Sequence, residues 1–229
     1  MASGQKLGIK QIAADACGAR LWAELRTNWA IALLYRAPSI PVAWLAARIG
    51  ASPMAVSLTG LAMAISMPGQ AAFIPVELAV WTVAISGFLF HVLDCVDGTL
   101  ARLTGRVTKR GGDVDFLVDM AQWGMLYLSV GILADRSFDT GFAWTALAAA
   151  TAWGRLMARV IRDRVNNDAG DAPKPLEPAE YLPAFLAGIS GLIPFFALAG
   201  PYLGIAVIAL AVYSVLDMVE AALPLTRRS

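Results

Sequence analysis

Four aspartates lie close together in a chain that is otherwise strongly apolar: Asp94, Asp97, Asp115 and Asp119. Charged groups within apolar helices cost free energy and usually mark a functional site. At about 100° per residue of an α-helix, Asp94 and Asp97 share one face, and Asp115 and Asp119 share a face one turn apart. Two antiparallel helices joined by a short polar turn over 103–112 would point all four carboxylates into one pocket.

These carboxylates need a counter-charge. Four such groups cannot all stay ionised in a dry pocket, because they repel one another and lose hydration. Mg²⁺ and Mn²⁺ prefer oxygen ligands and would supply the missing positive charge. Gly98 and Ala101 are small residues on the same helix face as Asp94 and Asp97, with Arg102 at its margin, so a ligand has room against the backbone. The combination predicts a metal-bound phosphate or pyrophosphate substrate.

The spacing of these residues resembles the signature of the CDP-alcohol phosphotransferase family at every fixed position. It is written Asp94-x2-Asp97-Gly98-x2-Ala101-Arg102-x8-Gly111-x3-Asp115-x3-Asp119. The resemblance extends over about 50–165, and the layout is nearest to bacterial phosphatidylinositol-phosphate synthases. It implies a membrane enzyme with six transmembrane helices, often a homodimer. Such an enzyme transfers a substituted phosphate from a CDP-alcohol, commonly CDP-diacylglycerol, to an acceptor alcohol and releases CMP.

The resemblance also implies roles for single residues. Asp94, Asp97 and Asp115 would bind one metal ion, and Asp94, Asp115 and Asp119 the second. Asp119 would be the catalytic base that deprotonates the acceptor. The CDP-alcohol would lie along a further set of residues: Asp97, Gly98, Ala101, Arg102 and Thr108.

Direct displacement fits these residues, because no cysteine or serine stands beside a base in the motif. Two metal ions would clamp the phosphoryl oxygens, and Arg102 would add a permanent positive charge.

The acceptor alcohol is less well defined. Arg155 and Arg159 could hold a phosphate of the acceptor or donor, or they could extend toward lipid headgroups at a helix end. Met54 replaces a polar residue of the family, and Met157 stands where a lysine is expected. The segment 176–181 lacks two arginines of the bacterial synthases, so an inositol-phosphate acceptor is less expected than the layout suggests.

Composition indicates an integral membrane protein. The 229 residues are 58% hydrophobic and 15% charged, whereas soluble domains carry about 25% charged residues. The net charge of +1 does not indicate an acidic partner, and no nucleic-acid partner is expected. Cys17 and Cys95 do not form a disulfide framework, and residues 1–21 are not expected to be a signal peptide.

The apolar segments predict an all-α membrane protein with six transmembrane helices. The predicted spans are about 54–73, 75–104, 114–134, 142–162, 179–199 and 202–222. An amphipathic stretch, Leu21 to Tyr35, precedes them; Pro38 and Pro41 are expected to end it, and 42–49 is placed in the membrane interface. We divide the chain into an N-terminal cytoplasmic or interfacial segment (1–52), a membrane catalytic domain (53–223) and a cytoplasmic tail (224–229).

The basic residues predict the orientation. With six spans, every Lys and Arg except Arg136 lies on the side that holds both termini and the motif turn. The positive-inside rule makes that side cytoplasmic. We therefore expect an enzyme of a bacterial inner membrane whose active site faces the cytoplasm.

Two other functions remain open on the sequence alone. A membrane prenyltransferase of the UbiA type also binds pyrophosphate through Asp-rich helices and Mg²⁺, and Asp115-x3-Asp119 would suit it. Its Asn-x3-Asp-x3-Asp partner motif is missing, and six spans are too few. A divalent-cation transporter is the non-enzymatic alternative, but the aspartates of the motif cluster at one membrane side.

Overall fold

The computed structural model describes residues 7–167, 185 and 187–227, and this part of the chain is helical without a β-strand. The predicted all-α class is therefore confirmed. Two 3₁₀ segments, Ser190–Leu198 and Gly200–Tyr202, precede the last helix. The α-helices are α1 (Ile9–Cys17), α2 (Ala19–Thr27), α3 (Trp29–Leu34), α4 (Arg36–Arg48), α5 (Pro53–Phe73), α6 (Val76–Leu103), α7 (Lys109–Phe138), α8 (Ala143–Asn167) and α9 (Leu203–Arg227).

Four stretches of the described chain are long and apolar enough to cross a membrane: Pro53–Phe73, Val76–Leu103, Lys109–Phe138 and Gly200–Leu223. They correspond to the predicted first, second, third and sixth spans. The predicted fourth span corresponds to α8, which is long but charged along its C-terminal half. Part of the predicted fifth span and the segment 176–181 lie outside the described residues. The count of six spans stays a prediction.

The N-terminal region differs from the sequence prediction at its prolines. α4 begins at Arg36 and continues through Pro38 and Pro41, where we expected a break. Pro38 lies in the first turn, where the missing backbone N–H would have no helical partner in any case. The preceding amphipathic stretch is divided at Asn28 between α2 and α3. Four short helices therefore precede the first long one.

The long helices pack around one buried core. α5 contacts α6 and α7, and α8 packs between α7 and α9. Small residues permit the closest approach: a Cβ on Gly131 of α7 would lie 2.7 Å from the Ala148 Cβ of α8. Such close contacts are typical of helices packed within membranes. Large apolar side chains on the outer faces, including Trp81, Ile85 and Ile205, are exposed, as expected for a lipid-facing surface.

The start of α8 is fixed by the end of α7. The Asp135 carboxylate of α7 accepts hydrogen bonds from the backbone N–H of Trp144 at 3.0 Å and of Thr145 at 2.7 Å. A carboxylate in this position satisfies helix N–H groups that lack a partner within the helix. It thereby sets the direction in which α8 returns along α7 toward the carboxylate motif.

Candidate active site

The carboxylate motif lies where α6 ends and α7 begins. A turn over 104–108 reverses the chain, so the C-terminal part of α6 lies beside the N-terminal part of α7. One oxygen atom from each of Asp94, Asp97 and Asp115 lies within 4.8 Å of the others. Asp119, one helical turn after Asp115, lines the same cavity. Carboxylates separated by the turn in the sequence therefore converge on one site.

Thr108 and Gly111 shape the beginning of α7. The Thr108 hydroxyl accepts a hydrogen bond of 3.0 Å from the backbone N–H of Gly111, so it caps the helix. A Cβ on Gly111 would lie 3.1 Å from that hydroxyl oxygen. The glycine of the motif thus permits the cap. The turn is shorter than predicted, because α7 begins at Lys109.

Arg102 is held in place by α1. Its Nε and Nη2 donate to the two carboxylate oxygens of Asp15 at 3.1 and 2.6 Å, and Nη2 also donates to the Thr99 hydroxyl at 3.2 Å. A Cβ on Gly98 would lie only 3.1 Å from Arg102 Nη1. Gly98 therefore lets the guanidinium lie against the α6 backbone. Sequence reasoning missed Asp15, which lies 87 residues from its partner.

Ser57 of α5 supports the carboxylates from a third helix. Its hydroxyl donates a 2.5 Å hydrogen bond to Asp97 Oδ2. Hydrogen bonds of this kind orient a carboxylate that binds metal. Ser57 belongs to the helix start in which Met54 departs from the family pattern, so a polar contact to the motif persists there. In the sequence, only the position of a serine one turn into α5 indicated this hydrogen bond.

Two cavities adjoin the carboxylates and share part of their walls. The first has a volume of about 270 Å³ and extends toward α3, α4 and α8. The second, of about 450 Å³, lies between the start of α5 and the α6–α7 turn, and Ala101 and Thr108 line it. The shared wall consists of Asp97, Gly98, Arg102 and Asp115. A group bound in either cavity would therefore reach the same carboxylates.

Two arginines of α8 lie beside the first cavity and are bound to α9. Arg155 Nη1 donates to Asp217 Oδ2, and Arg162 Nη2 donates to the other oxygen of the same carboxylate, Oδ1. Arg162 also binds Glu220, its Nε donating at 3.0 Å. Arg159 lies 3.9 Å from Asp119. Sequence reasoning missed Asp217 and Glu220, although acids three residues apart in an apolar helix are a usable signal.

The N-terminal helices close the other side of the first cavity. Glu24 of α2 accepts hydrogen bonds from Arg36 Nε, at 2.6 Å, and from Arg36 Nη2. Burial by itself would lower the pKa of Arg36, but Glu24 offsets this, and the pKa lies above its usual value. Arg36 is therefore a permanent cation in the cavity wall.

The oxygen donors of the motif fit a hard divalent cation. Mg²⁺ or Mn²⁺ binds oxygen at about 2.1 Å, so opposite ligands around the ion lie about 4.2 Å apart. The oxygens of Asp94, Asp97 and Asp115 lie within 4.8 Å of one another. Small movements of the side chains would bring them to that spacing. The residues present therefore fit a metal centre.

A family model described as CDP-alcohol phosphatidyltransferase matches residues 52–218 of the chain. The chain belongs to the CDP-alcohol phosphatidyltransferase family. The fold is similar to the crystal structure of phosphatidylinositol phosphate synthase (PgsA1) from Mycobacterium tuberculosis, which was solved in complex with manganese and citrate. The two chains are 21% identical with a TM-score of 0.53, over 80% of this chain and 86% of that one. A search of curated proteins finds no match.

Membership of this family confirms the resemblance that the motif predicted. It also confirms the transferase class and a place in phospholipid synthesis, and it decides against a prenyltransferase or a transporter. The apolar helices and the family together confirm a membrane protein. The matched region begins at Ser52, so α1 to α4 lie before it. These helices nevertheless supply Asp15, Glu24 and Arg36 to the site.

Proposed function

We propose that this protein transfers a phosphatidyl group from CDP-diacylglycerol to the hydroxyl of an acceptor alcohol and releases CMP. The observation that carries this proposal is the convergence of Asp94, Asp97 and Asp115 within 4.8 Å, in a chain of this family. Asp119 in the wall of the same cavity adds a base within reach of the reacting groups. The three carboxylates that would bind metal and the aspartate that would act as base therefore line the same cavity.

The carboxylates would hold two Mg²⁺ or Mn²⁺ ions. Asp94, Asp97 and Asp115 would bind the first, and Asp94, Asp115 and Asp119 the second. The manganese in the related synthase structure supports this choice of metal. When bound, such ions neutralise the phosphoryl oxygens and polarise the P–O bond that breaks. The hydrogen bond from Ser57 would hold Asp97 in its metal-binding orientation.

The two cavities suit the two substrates. The larger would take the CDP moiety, which would lie along Asp97 and four further residues: Gly98, Ala101, Arg102 and Thr108. The smaller would take the acceptor, with Arg155 and Arg159 in its wall. Because the cavities share Asp97 and Asp115, the acceptor hydroxyl and the donor pyrophosphate would meet there. Binding in this arrangement removes the entropic cost of bringing two reactants together.

The reaction would be a direct displacement. The acceptor oxygen forms a bond to the β-phosphorus while the bond from that phosphorus to the bridging oxygen breaks, and CMP leaves with the electron pair. Asp119 accepts the proton of the acceptor hydroxyl. Arg102, held by Asp15, would present a fixed positive charge to the donor phosphates.

The membrane arrangement is part of the proposal. Six helices of the domain 53–223 would cross a bacterial inner membrane, with 1–52 in the interface or cytoplasm and 224–229 as a cytoplasmic tail. The active site would face the cytoplasm, on the side with most of the basic residues. A homodimer would be the functional unit, as the family resemblance implies.

The direct test is CMP release by the purified protein with CDP-diacylglycerol, Mg²⁺ or Mn²⁺, and a panel of acceptor alcohols. Release that depends on both metal and one acceptor would support the proposal and identify the product. Metal-dependent binding of CDP-diacylglycerol without release would mean that the acceptor is missing from the panel. If the protein neither binds CDP-diacylglycerol nor releases CMP, CDP-diacylglycerol is contradicted as the donor.

A further inference from the structure

We infer that the acceptor is a small alcohol that carries no phosphate or other anionic group. This inference rests on the proposed function and adds the chemical class of its second substrate. It follows from the ion pairs around the smaller cavity. That cavity carries five arginines among its described lining residues, and each of them already faces a carboxylate of this chain.

The deepest pairing involves Arg155 and Asp217. Only 12% of the Arg155 side chain and 5% of the Asp217 side chain are exposed. The guanidinium lies 5.2 Å from the ring centre of Trp123 and 5.0 Å from that of Tyr213, which fix it between two aromatic faces. A charge held in this way is not available to swing toward a ligand.

Arg162 makes the pairing difficult to undo. Arg155 and Arg162 donate to opposite oxygens of the Asp217 carboxylate, so both oxygens are used. If either arginine turned to a phosphate, a buried carboxylate would lose a partner, which is costly. Asp217 would also repel the incoming anion. Arg155 and Arg162 are therefore neutralised from within the protein.

Of the remaining arginines, Arg36 is held in the same way, and Arg102 is held by Asp15 and assigned to the donor phosphates. Glu24 binds Arg36 through two hydrogen bonds, and Asp15 binds Arg102 through two. Arg159 lies 3.9 Å from Asp119. Arg159 is the exception, because 53% of its side chain is exposed and it does not come within hydrogen-bond distance of Asp119. At the other four arginines, an anionic acceptor would have to compete with a carboxylate of this chain. An uncharged acceptor would leave them all undisturbed.

The wall also contains buried polar atoms suited to hydroxyl groups. Asn28 Oδ1, Arg36 Nη1 and His91 Nε2 have no hydrogen-bond partner among the described residues, and all three residues line this cavity. Asn28 supplies an acceptor, Arg36 a donor, and His91 either one according to its tautomer. A hydroxyl donates and accepts at once, so a polyol would satisfy groups of both kinds.

The experiment compares acceptors that differ only by a phosphate. The purified full-length protein, with CDP-diacylglycerol and Mn²⁺, is given inositol or inositol 1-phosphate, and glycerol or glycerol 3-phosphate. If the protein uses a pair of acceptors, the rate of CMP release divided by the acceptor concentration should be at least about tenfold higher with the uncharged member. The phosphorylated member would have to displace a buried ion pair. A preference for the phosphorylated member would overturn the inference while leaving the proposed function intact. If the protein does not bind CDP-diacylglycerol and releases no CMP with any of the four acceptors, the proposed function is overturned, and the inference with it.

Variants of α9 test the cause of the preference. Asp217→Asn removes the charge that neutralises Arg155 and Arg162, so relative use of the phosphorylated acceptor should rise about tenfold or more. Glu220→Gln releases only part of Arg162 and should raise it less, and it provides a second variant if Asp217→Asn does not fold. Glu77→Gln, an exposed acid at the start of α6, is the matched control and should leave the preference unchanged. An unchanged preference in both α9 variants would contradict this explanation.

Discussion

Aspartates in two regions of the bundle face opposite electrostatic surroundings. At the α8–α9 contact, Asp217 is buried but bound to two arginines. At the α6–α7 turn, three carboxylates lie within 4.8 Å of one another, and the ion pairs among the described residues do not involve Asp94 or Asp97. A buried charge with its partner in the same chain is structural, whereas clustered charges of one sign require a ligand.

A substrate would therefore meet a cluster of negative charge at the α6–α7 turn and neutralised arginines at the α8–α9 contact. The α6–α7 carboxylates form a negative cluster that fits a metal ion. Arg155 and Arg162 of α8, which would otherwise attract an anionic acceptor, are neutralised by carboxylates of α9.

Replacing Asp94 by Asn should have the largest effect. Loss of a metal ligand removes several kcal/mol of transition-state stabilisation, which corresponds to a fall in CMP release of about a thousandfold or more. Metal binding, measured by calorimetry, should fall as well. Asp113→Asn, which changes an exposed aspartate in the first turns of α7, is the control and should retain full activity. Normal turnover by Asp94→Asn would remove the carboxylate cluster from the mechanism.

The same substitution at Asp217 should act on stability instead. Breaking a buried ion pair costs about 3 kcal/mol or more, so Asp217→Asn should melt at a lower temperature than wild type in detergent. Without metal, Asp94→Asn should melt at the same or a higher temperature, because it relieves repulsion between carboxylates. Shifts of the same sign in the two variants would erase the contrast between the regions.

Metal should stabilise the wild-type protein. A ligand at one hundred times its dissociation constant adds about 2.7 kcal/mol to the free energy of unfolding. Mn²⁺ should therefore raise the melting temperature, and a chelator should reverse the rise. Asp94→Asn should not respond, whereas Asp217→Asn should respond like wild type. An equal response of all three proteins would place the ion elsewhere.

Gly98→Ala should give the smallest effect. Its new Cβ would lie 3.1 Å from Arg102 Nη1, so the guanidinium must shift away from the donor cavity. We expect the KM for CDP-diacylglycerol to rise about fivefold, equivalent to about 1 kcal/mol. Gly69→Ala of α5 is the matched control, because a Cβ there meets no atom within 4 Å and Gly69 lines neither cavity. Equal KM values for the two variants would exclude a role for the Gly98–Arg102 contact.

The sequence predicted those features that depend on local periodicity. The convergence of the carboxylates follows from residues three and four apart on two helices joined by one short turn. The all-α class and the apolar spans follow from composition. The continuation of α4 through Pro41 could not be predicted in this way, because tertiary contacts with α1 and α6 outweigh the cost of a proline within a helix.

Long-range pairing was not predictable from spacing. Asp15 lies 87 residues from Arg102, and Asp217 lies 62 from Arg155. Sequence patterns identified Arg155 as a charged residue within a helix but could not reveal that a distant carboxylate neutralises it. That neutralisation is the basis of our inference of an uncharged acceptor, whereas the sequence left the acceptor undefined. The packing of α8 against α9 was required to find it.

The most direct test of the central claim is to measure donor binding and CMP release in the same sample of Asp119→Asn. If the α6–α7 carboxylates form the catalytic site and Asp119 is its base, this variant should still bind CDP-diacylglycerol in a metal-dependent way. Its CMP release should fall by about a hundredfold to ten-thousandfold, the usual contribution of a general base. CMP release at the wild-type rate, with donor binding unchanged, would contradict the account.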